Sequence, residues 1–120
     1  MSQSPPLCTI IGAGEGLGRA LAEKFAGQGF SIALISRSEA GSAAAFEADA
    51  AVTPNVRYCS ADAVHPETIE SALTEVTEEM GAIDVLIYNV RGDFTTCEPL
   101  DMTYTALEQI YRVEVVSAFA

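Results

Sequence analysis

The sequence predicts an α/β fold: a parallel β-sheet covered by helices on both faces. Three observations carry this. Short apolar runs of strand length alternate with stretches of helical periodicity. The connecting stretches are long enough for crossover helices, which parallel strands need. The strand-like runs are almost continuously apolar, as burial on both faces requires.

The elements follow in order. Leu7 to Ile11 is an apolar, β-branched run, and glycines follow it at once. Leu17, Ala20, Leu21 and Phe25 then recur at helical spacing, giving strand, tight turn and helix. Gly27 and Gly29 stop that helix, and Phe30 to Ile35 forms the second strand. Alanine-rich Glu39 to Ala51 reads as a helix ended by Pro54, and Val56 to Cys59 as the third strand. Pro66 suits a first helical position, so a helix runs from there through Met80 and closes at Gly81. Ile83 to Tyr88 is the fourth strand. After a polar loop from Arg91 to Asp101, a last helix starts near Thr103 and carries Leu107, Ile110, Tyr111, Val115 and Phe119 toward one side. Val113 to Ala120 holds no stop signal, so the chain is expected to be cut within this helix.

With 120 residues, 49% apolar and 19% charged, the chain fits one globular domain. No apolar run nears the roughly 18 residues of a spanning helix, and Met1 to Pro6 lacks the pattern of a secretory signal. The expected setting is the cytoplasm, with no membrane partner. Formal net charge is -11, from 17 carboxylates against 6 lysines and arginines, a field that repels nucleic acid. Any phosphate site must therefore be built locally, from backbone N–H groups or a well-placed arginine. Cys8, Cys59 and Cys97 are odd in number and far apart, without a metal or redox spacing, and are expected as free thiols. No metal site is expected. His65, just before Pro66, reads as a solvated turn residue.

Ile10 to Arg19 places glycines where the first strand passes into the first helix. Glycine permits positive φ and close backbone approach, and a helix start offers unpaired N–H groups and a positive dipole end. A pyrophosphate suits that environment. The spacing is Gly-x-x-x-Gly-x-Gly through Gly12, Gly16 and Gly18, with Gly14 and Glu15 inside it; position 17, where Gly-x-Gly-x-x-Gly needs its last glycine, is Leu17. A plain flexible loop is the alternative, and placement between a buried strand and an amphipathic helix weighs against it.

With this spacing the chain resembles the short-chain dehydrogenases and reductases along its whole length. The resemblance implies a Rossmann-like doubly wound sheet of about four strands in the order 3-2-1-4, with residues 1–120 forming an NAD(P)-binding domain. It implies cofactor contacts at Gly12, Gly14, Glu15, Gly16, Leu17 and Gly18. The second strand ends at Ser36 and Arg37, which resembles the NADP-preferring arrangement, whereas Glu15 stands where such members often carry a basic residue. NADP is expected ahead of NAD. An exposed arginine at a helix start is the plain alternative for Arg37. Asp62, with the backbone of Ala63, matches the adenine contact; a turn-capping aspartate is its alternative. Asn89 and Val90 match the family's Asn-Asn-Ala-Gly strand ending, although Tyr88, Val90 and Arg91 depart from it. Arg91 is open to three readings: a shifted backbone, a cofactor phosphate contact, or an acidic substrate.

Val113 to Phe119 resembles the family stretch Val-Asn-Val-x-Gly-x-Phe, with Glu114 at the asparagine that holds a water behind the catalytic lysine. Glu114 either orders water and lysine, perturbs the lysine, or marks lost catalytic constraint. The catalytic Tyr-x-x-x-Lys does not occur: Tyr58, Tyr88, Tyr104 and Tyr111 are followed four positions on by Asp62, Gly92, Glu108 and Val115. Lys24, the only lysine, falls in the first helix. The resemblance thus implies the cofactor-binding half of an oxidoreductase that interconverts a hydroxyl and a carbonyl on a small molecule. The catalytic serine, tyrosine and lysine are expected beyond Ala120. If the chain is a whole gene product, the alternative is a non-catalytic dinucleotide-binding or interaction module. The apolar last helix points to a homo-oligomer.

Overall fold

The computed structural model describes residues 5–12, 17–37, 55–91 and 97–120. Strands β1 (Leu7–Ile11), β2 (Ser31–Ser36), β3 (Val56–Ser60) and β4 (Val85–Tyr88) form one sheet in the order β3-β2-β1-β4. All three pairings are parallel. Helix α1 (Leu17–Gly27) joins β1 to β2, and α2 (Pro66–Met80) joins β3 to β4. The predicted helix at 39–51 lies outside the described residues, as do Gly14, Glu15 and Gly16.

The sheet is covered on both faces because alternate strand residues feed two separate cores. On one face Cys8, Ile10, Ile32 and Leu34 pack with Ala22 and Ala26 of α1. On the other, Leu7, Ile11, Ala33 and Ile35 pack with Ile69, Ala72 and Val76 of α2 and with Val113. In α1 the buried stripe is Gly18, Ala22 and Ala26, while Leu17 and Ala20 point out. Small residues let this helix lie close to the strands, and Leu21 and Phe25 pack along its sides. Helix α2 starts at Pro66 and closes at Gly81, whose φ is 96° and whose N–H donates to the Thr77 carbonyl. Asp84 ties β4 to the start of β1: its N–H donates to the Leu7 carbonyl (3.0 Å), and its Oδ2 accepts from the Leu7 N–H (2.8 Å).

The last helical segment differs from its sequence reading. Thr103 caps α3 (Tyr104–Tyr111) by accepting the Ala106 N–H, but α-helical geometry ends at Tyr111. A π turn, Arg112–Val116, follows, and then a short 3₁₀ turn, Ser117–Phe119. The apolar positions read from the sequence as one side of this segment lie mostly on its outside. Leu107, Tyr111, Val115 and Phe119 are exposed, and the buried positions are Val113 and Ser117. The extra residue in the π turn rotates everything after Arg112 relative to an unbroken α-helix, so one periodicity cannot describe the whole segment.

Cys8 and Cys59 are buried, Cys97 is exposed, and all three are free thiols. Burial pushes the Cys8 thiol from its ordinary 9.0 to about 11. Burial, with Glu75 and Glu79 nearby, also raises that of Cys59. A raised folded-state value means the Cys8 contribution to stability is intact below pH 9.0 and lost as pH climbs through about 11. Urea midpoints are expected to fall across that window. Cys8→Ala should begin lower and fall less steeply, leaving Cys59 and Tyr88 to titrate; the wild-type slope in the variant would refute this. Among the described residues, no helix is long and apolar enough to cross a membrane.

Candidate functional site

The strands all point their carboxyl ends to one side, and the direction of strand order reverses between β1, which leads to β2, and β4 on its other flank. Loops leaving opposite ways from such a point open a crevice. A cavity of about 420 Å³ sits there, within the range of small-ligand sites.

Its floor is made where β1 and β4 end. The Gly12 N–H donates to the Ile35 carbonyl and the Asn89 N–H to the Ile11 carbonyl, each at 2.8 Å. Gly12 has φ +89°, and a Cβ there would lie 2.2 Å from the Asn89 carbonyl oxygen. The two backbones cross at a distance that only glycine allows. Leu17 is exposed at the start of α1 and Gly18 is buried against the sheet; neither lines the cavity.

Ser36 and Arg37 form the edge beyond β2. The Ser36 carbonyl accepts the Ala61 N–H (2.9 Å), and the Ser60 hydroxyl donates to the Arg37 carbonyl (3.0 Å), so backbone bonds hold this corner. The Arg37 side chain is exposed and makes no ion pair among the described residues.

The turn after β3 supplies Ala61, Asp62, Ala63 and Val64. Asp62 Oδ1 accepts the Val64 N–H at 3.0 Å, while the Asp62 carbonyl accepts the His65 N–H at 2.8 Å. The Thr68 hydroxyl accepts the Asp62 N–H at 2.9 Å and stands within bonding reach of the Asp62 and His65 carbonyls. Asp62 is therefore a turn-capping residue through one oxygen and borders the cavity as well. The two sequence readings of Asp62 are compatible, since a carboxylate has a second oxygen to offer. His65 caps α2 by position, is exposed, and approaches Glu67 at 3.7 Å.

Asn89, Val90 and Arg91 line the side beyond β4. The opposite wall is one face of the last helical segment, Ala106, Gln109, Ile110 and Val113. Glu114 is exposed and does not line the cavity. Its charge is felt at Tyr88, whose phenol is raised above its ordinary value by burial first and by Glu114 second. The Tyr88 hydroxyl donates to the Val113 carbonyl, tying β4 to the π turn. Sequence reasoning gave no role to Thr68, Arg112 or Ser117 and did not foresee the helix wall, although Val113 and Ser117 fall in the stretch that resembles the family's Val-Asn-Val-x-Gly-x-Phe. Arg37 and Arg91 are two of only 6 lysines and arginines in a chain of net charge -11, and both line this cavity. Two guanidinium groups at its lining suit an anionic ligand.

Over residues 7–120 the sequence matches the profile of the short chain dehydrogenase family. The chain belongs to that family. This short-chain dehydrogenase chain is 31% identical over 113 residues to L-2,3-butanediol dehydrogenase of Corynebacterium glutamicum, covering 92% of this chain and 43% of that protein. It superimposes on levodione reductase with a TM-score of 0.87 and 25% identity, over 98% of this chain and 46% of that one. For L-sorbose reductase from Gluconobacter frateurii, solved with NADPH and L-sorbose, the TM-score is 0.84 at 23% identity, over 99% of this chain and 45% of that one. The chain thus spans less than half the length of these relatives.

Proposed function

We propose that this chain is the dinucleotide-binding half of an NAD(P)-dependent oxidoreductase that interconverts a hydroxyl and a carbonyl on a small molecule. The observation that carries the reading is the gathering of Gly12, Arg37, Asp62 and Asn89 around one cavity at the switch point of a parallel sheet. Gly12 permits the close backbone approach, Asp62 meets the adenine amino group with Ala63 beside it, and Asn89 and Val90 face the nicotinamide ribose. Gly14, Glu15, Gly16, Leu17 and Gly18 complete the pyrophosphate turn in this reading. When bound, the cofactor supplies or takes the hydride.

NADP is the preferred form. Support comes from Arg37, a cation at the rim of the cavity, beside Ser36, a residue that does not repel a 2'-phosphate. A homo-oligomer through the last helix belongs to the same proposal, supported by the exposed Leu107, Tyr111 and Phe119.

The test is titration of the protein, expressed from its full coding sequence, with NADPH and NADH. Gly16→Asp sets a carboxylate against the pyrophosphate and is expected to weaken both by about tenfold. Unchanged affinity in that variant, or no binding by the wild type, removes the reading.

A further inference from the structure

The turn that carries Asp62 is held from behind by two side chains that touch no part of the cavity. Arg112 Nε donates to the Val64 carbonyl at 2.7 Å. The Ser117 hydroxyl, in a residue only 1% exposed, donates to the Ala63 carbonyl. Neither residue lines the cavity. The donors are five apart in sequence and meet successive carbonyls of one turn.

An unbroken α-helix does not allow this. At 3.6 residues per turn, two residues five apart lie about 140° apart around the axis, close to opposite faces. The π turn removes the obstacle. The Ser117 N–H donates to the Arg112 carbonyl, which is the i→i+5 rung of a π turn, so these two residues sit one above the other. The inserted residue is what puts both side chains on the face that meets Ala63 and Val64. π bulges inside helices are frequent at functional sites.

The consequence reaches Asp62 through Val64. Arg112 fixes the Val64 carbonyl, and the N–H of the same residue fixes Asp62 Oδ1. The helix that carries the donors also forms the facing wall through Ala106, Gln109, Ile110 and Val113. Clamp and wall lie on one continuous helical segment, so the clamp bears on the spacing between the Asp62 turn and that wall.

We propose that Arg112 and Ser117, paired by the π turn, are positioning residues that hold the Asp62 turn at its working distance from the helix wall and so set affinity for the adenylate part of the ligand. This rests on the dinucleotide reading above and adds a part that no ligand contact reveals.

The test compares three probes on the protein expressed from its full coding sequence: NADPH, 5'-AMP, and reduced nicotinamide mononucleotide. Arg112→Met is expected to weaken NADPH and 5'-AMP by the same factor, about three- to tenfold for one charge-assisted bond at a partly solvated site. Affinity for the mononucleotide should not change. Arg112→Lys, which keeps a cationic donor, should recover part of the loss. Amide exchange at Val64 and His65 in the ligand-free protein should quicken in Arg112→Met, and also in Ser117→Ala but not Ser117→Thr. Equal loss for all three probes would mean general loosening and overturn the proposal. So would unaltered 5'-AMP affinity in a folded Arg112→Met protein. A wild type that binds none of the probes refutes the dinucleotide reading, and this inference with it; a wild type that binds them and an indifferent variant refute the clamp alone.

Discussion

Gly12→Ala is expected to destabilise the protein by about 2 to 5 kcal/mol and to abolish dinucleotide binding at accessible concentrations, the sum of a left-handed backbone penalty and an overpacking penalty. Both arise at one atom. The residue has φ +89°, and the added Cβ would meet the Asn89 carbonyl oxygen at 2.2 Å, its carbon at 2.6 Å and Val90 Cγ2 at 2.9 Å. Two of these are backbone atoms fixed by the Asn89 N–H bond to the Ile11 carbonyl, so neither can step aside as a flexible side chain would. Relief requires β1 and β4 to part at their carboxyl ends, which opens the floor of the cavity. Gly29 provides the control. Its φ is +88° and a Cβ there meets nothing within 4 Å, so Gly29→Ala suffers the backbone penalty alone, about 1 to 2 kcal/mol. Urea denaturation of the two variants separates the terms. Equal losses, or a Gly12→Ala protein that still binds NADPH like the wild type, would show that the crossing of β1 and β4 is not what requires the glycine.

The sequence made most of the sheet legible because each strand is bounded by residues with one structural use. Pro66 and Gly81 bracket α2 since proline lacks the N–H that a first turn leaves unused and glycine takes the positive φ that ends the helix. β1 and β2 read as buried strands because they are almost continuously apolar, and they are the inner pair. β4 is just as apolar, yet Leu86 is 53% exposed, since β4 lies at the edge of the described sheet and is covered less. Apolarity announces a strand but not its place in the order. The last helical segment was legible only in part, for a different reason. Residues Leu107, Tyr111, Val115 and Phe119 follow helical spacing well, but spacing gives the existence of a stripe and not the direction it faces. Here the face toward the cavity is Ala106, Gln109, Ile110 and Val113, and Val113 also joins the core on that side of the sheet.

The site divides along a similar line. Gly12, Ser36, Asp62 and Asn89 were legible as a set because each stands at the carboxyl end of a strand, and a parallel sheet gathers those ends by construction. Thr68, Tyr88, Arg112 and Ser117 act through bonds to backbone carbonyls and amides. A carbonyl is present at every residue, so such a bond leaves no partner to find in the sequence. The π turn hides the pair further, since five-residue spacing matches no helical face. Tyr88 shows the point most plainly. The sequence showed it only as a departure from the family's strand ending, and in the structure it joins β4 to the π turn.

Arg37→Ala is expected to weaken NADPH by about 30-fold, or about 2 kcal/mol, and to leave NADH within about twofold. Arg37 follows directly on β2, and its backbone is anchored by the Ser60 hydroxyl, so the side chain starts from a fixed point at the rim of the cavity. A guanidinium there meets a 2'-phosphate with two parallel bonds, whereas a 2'-hydroxyl offers no comparable charge. Ser36 carries no charge that would oppose the phosphate. The chain's net charge of -11 sharpens the contrast, because the surrounding field disfavours the phosphate and leaves the local cation to decide. Arg37→Lys should recover only part of the loss, as a point charge without the fork. Ser36→Asp should act in the other direction, accepting from the ribose hydroxyls of NADH and repelling the 2'-phosphate. Raising the salt concentration should narrow the gap between the two cofactors in the wild type and change it little in Arg37→Ala. An equal loss for NADPH and NADH in Arg37→Ala would place the arginine in general cofactor binding and remove the reason for preferring NADP.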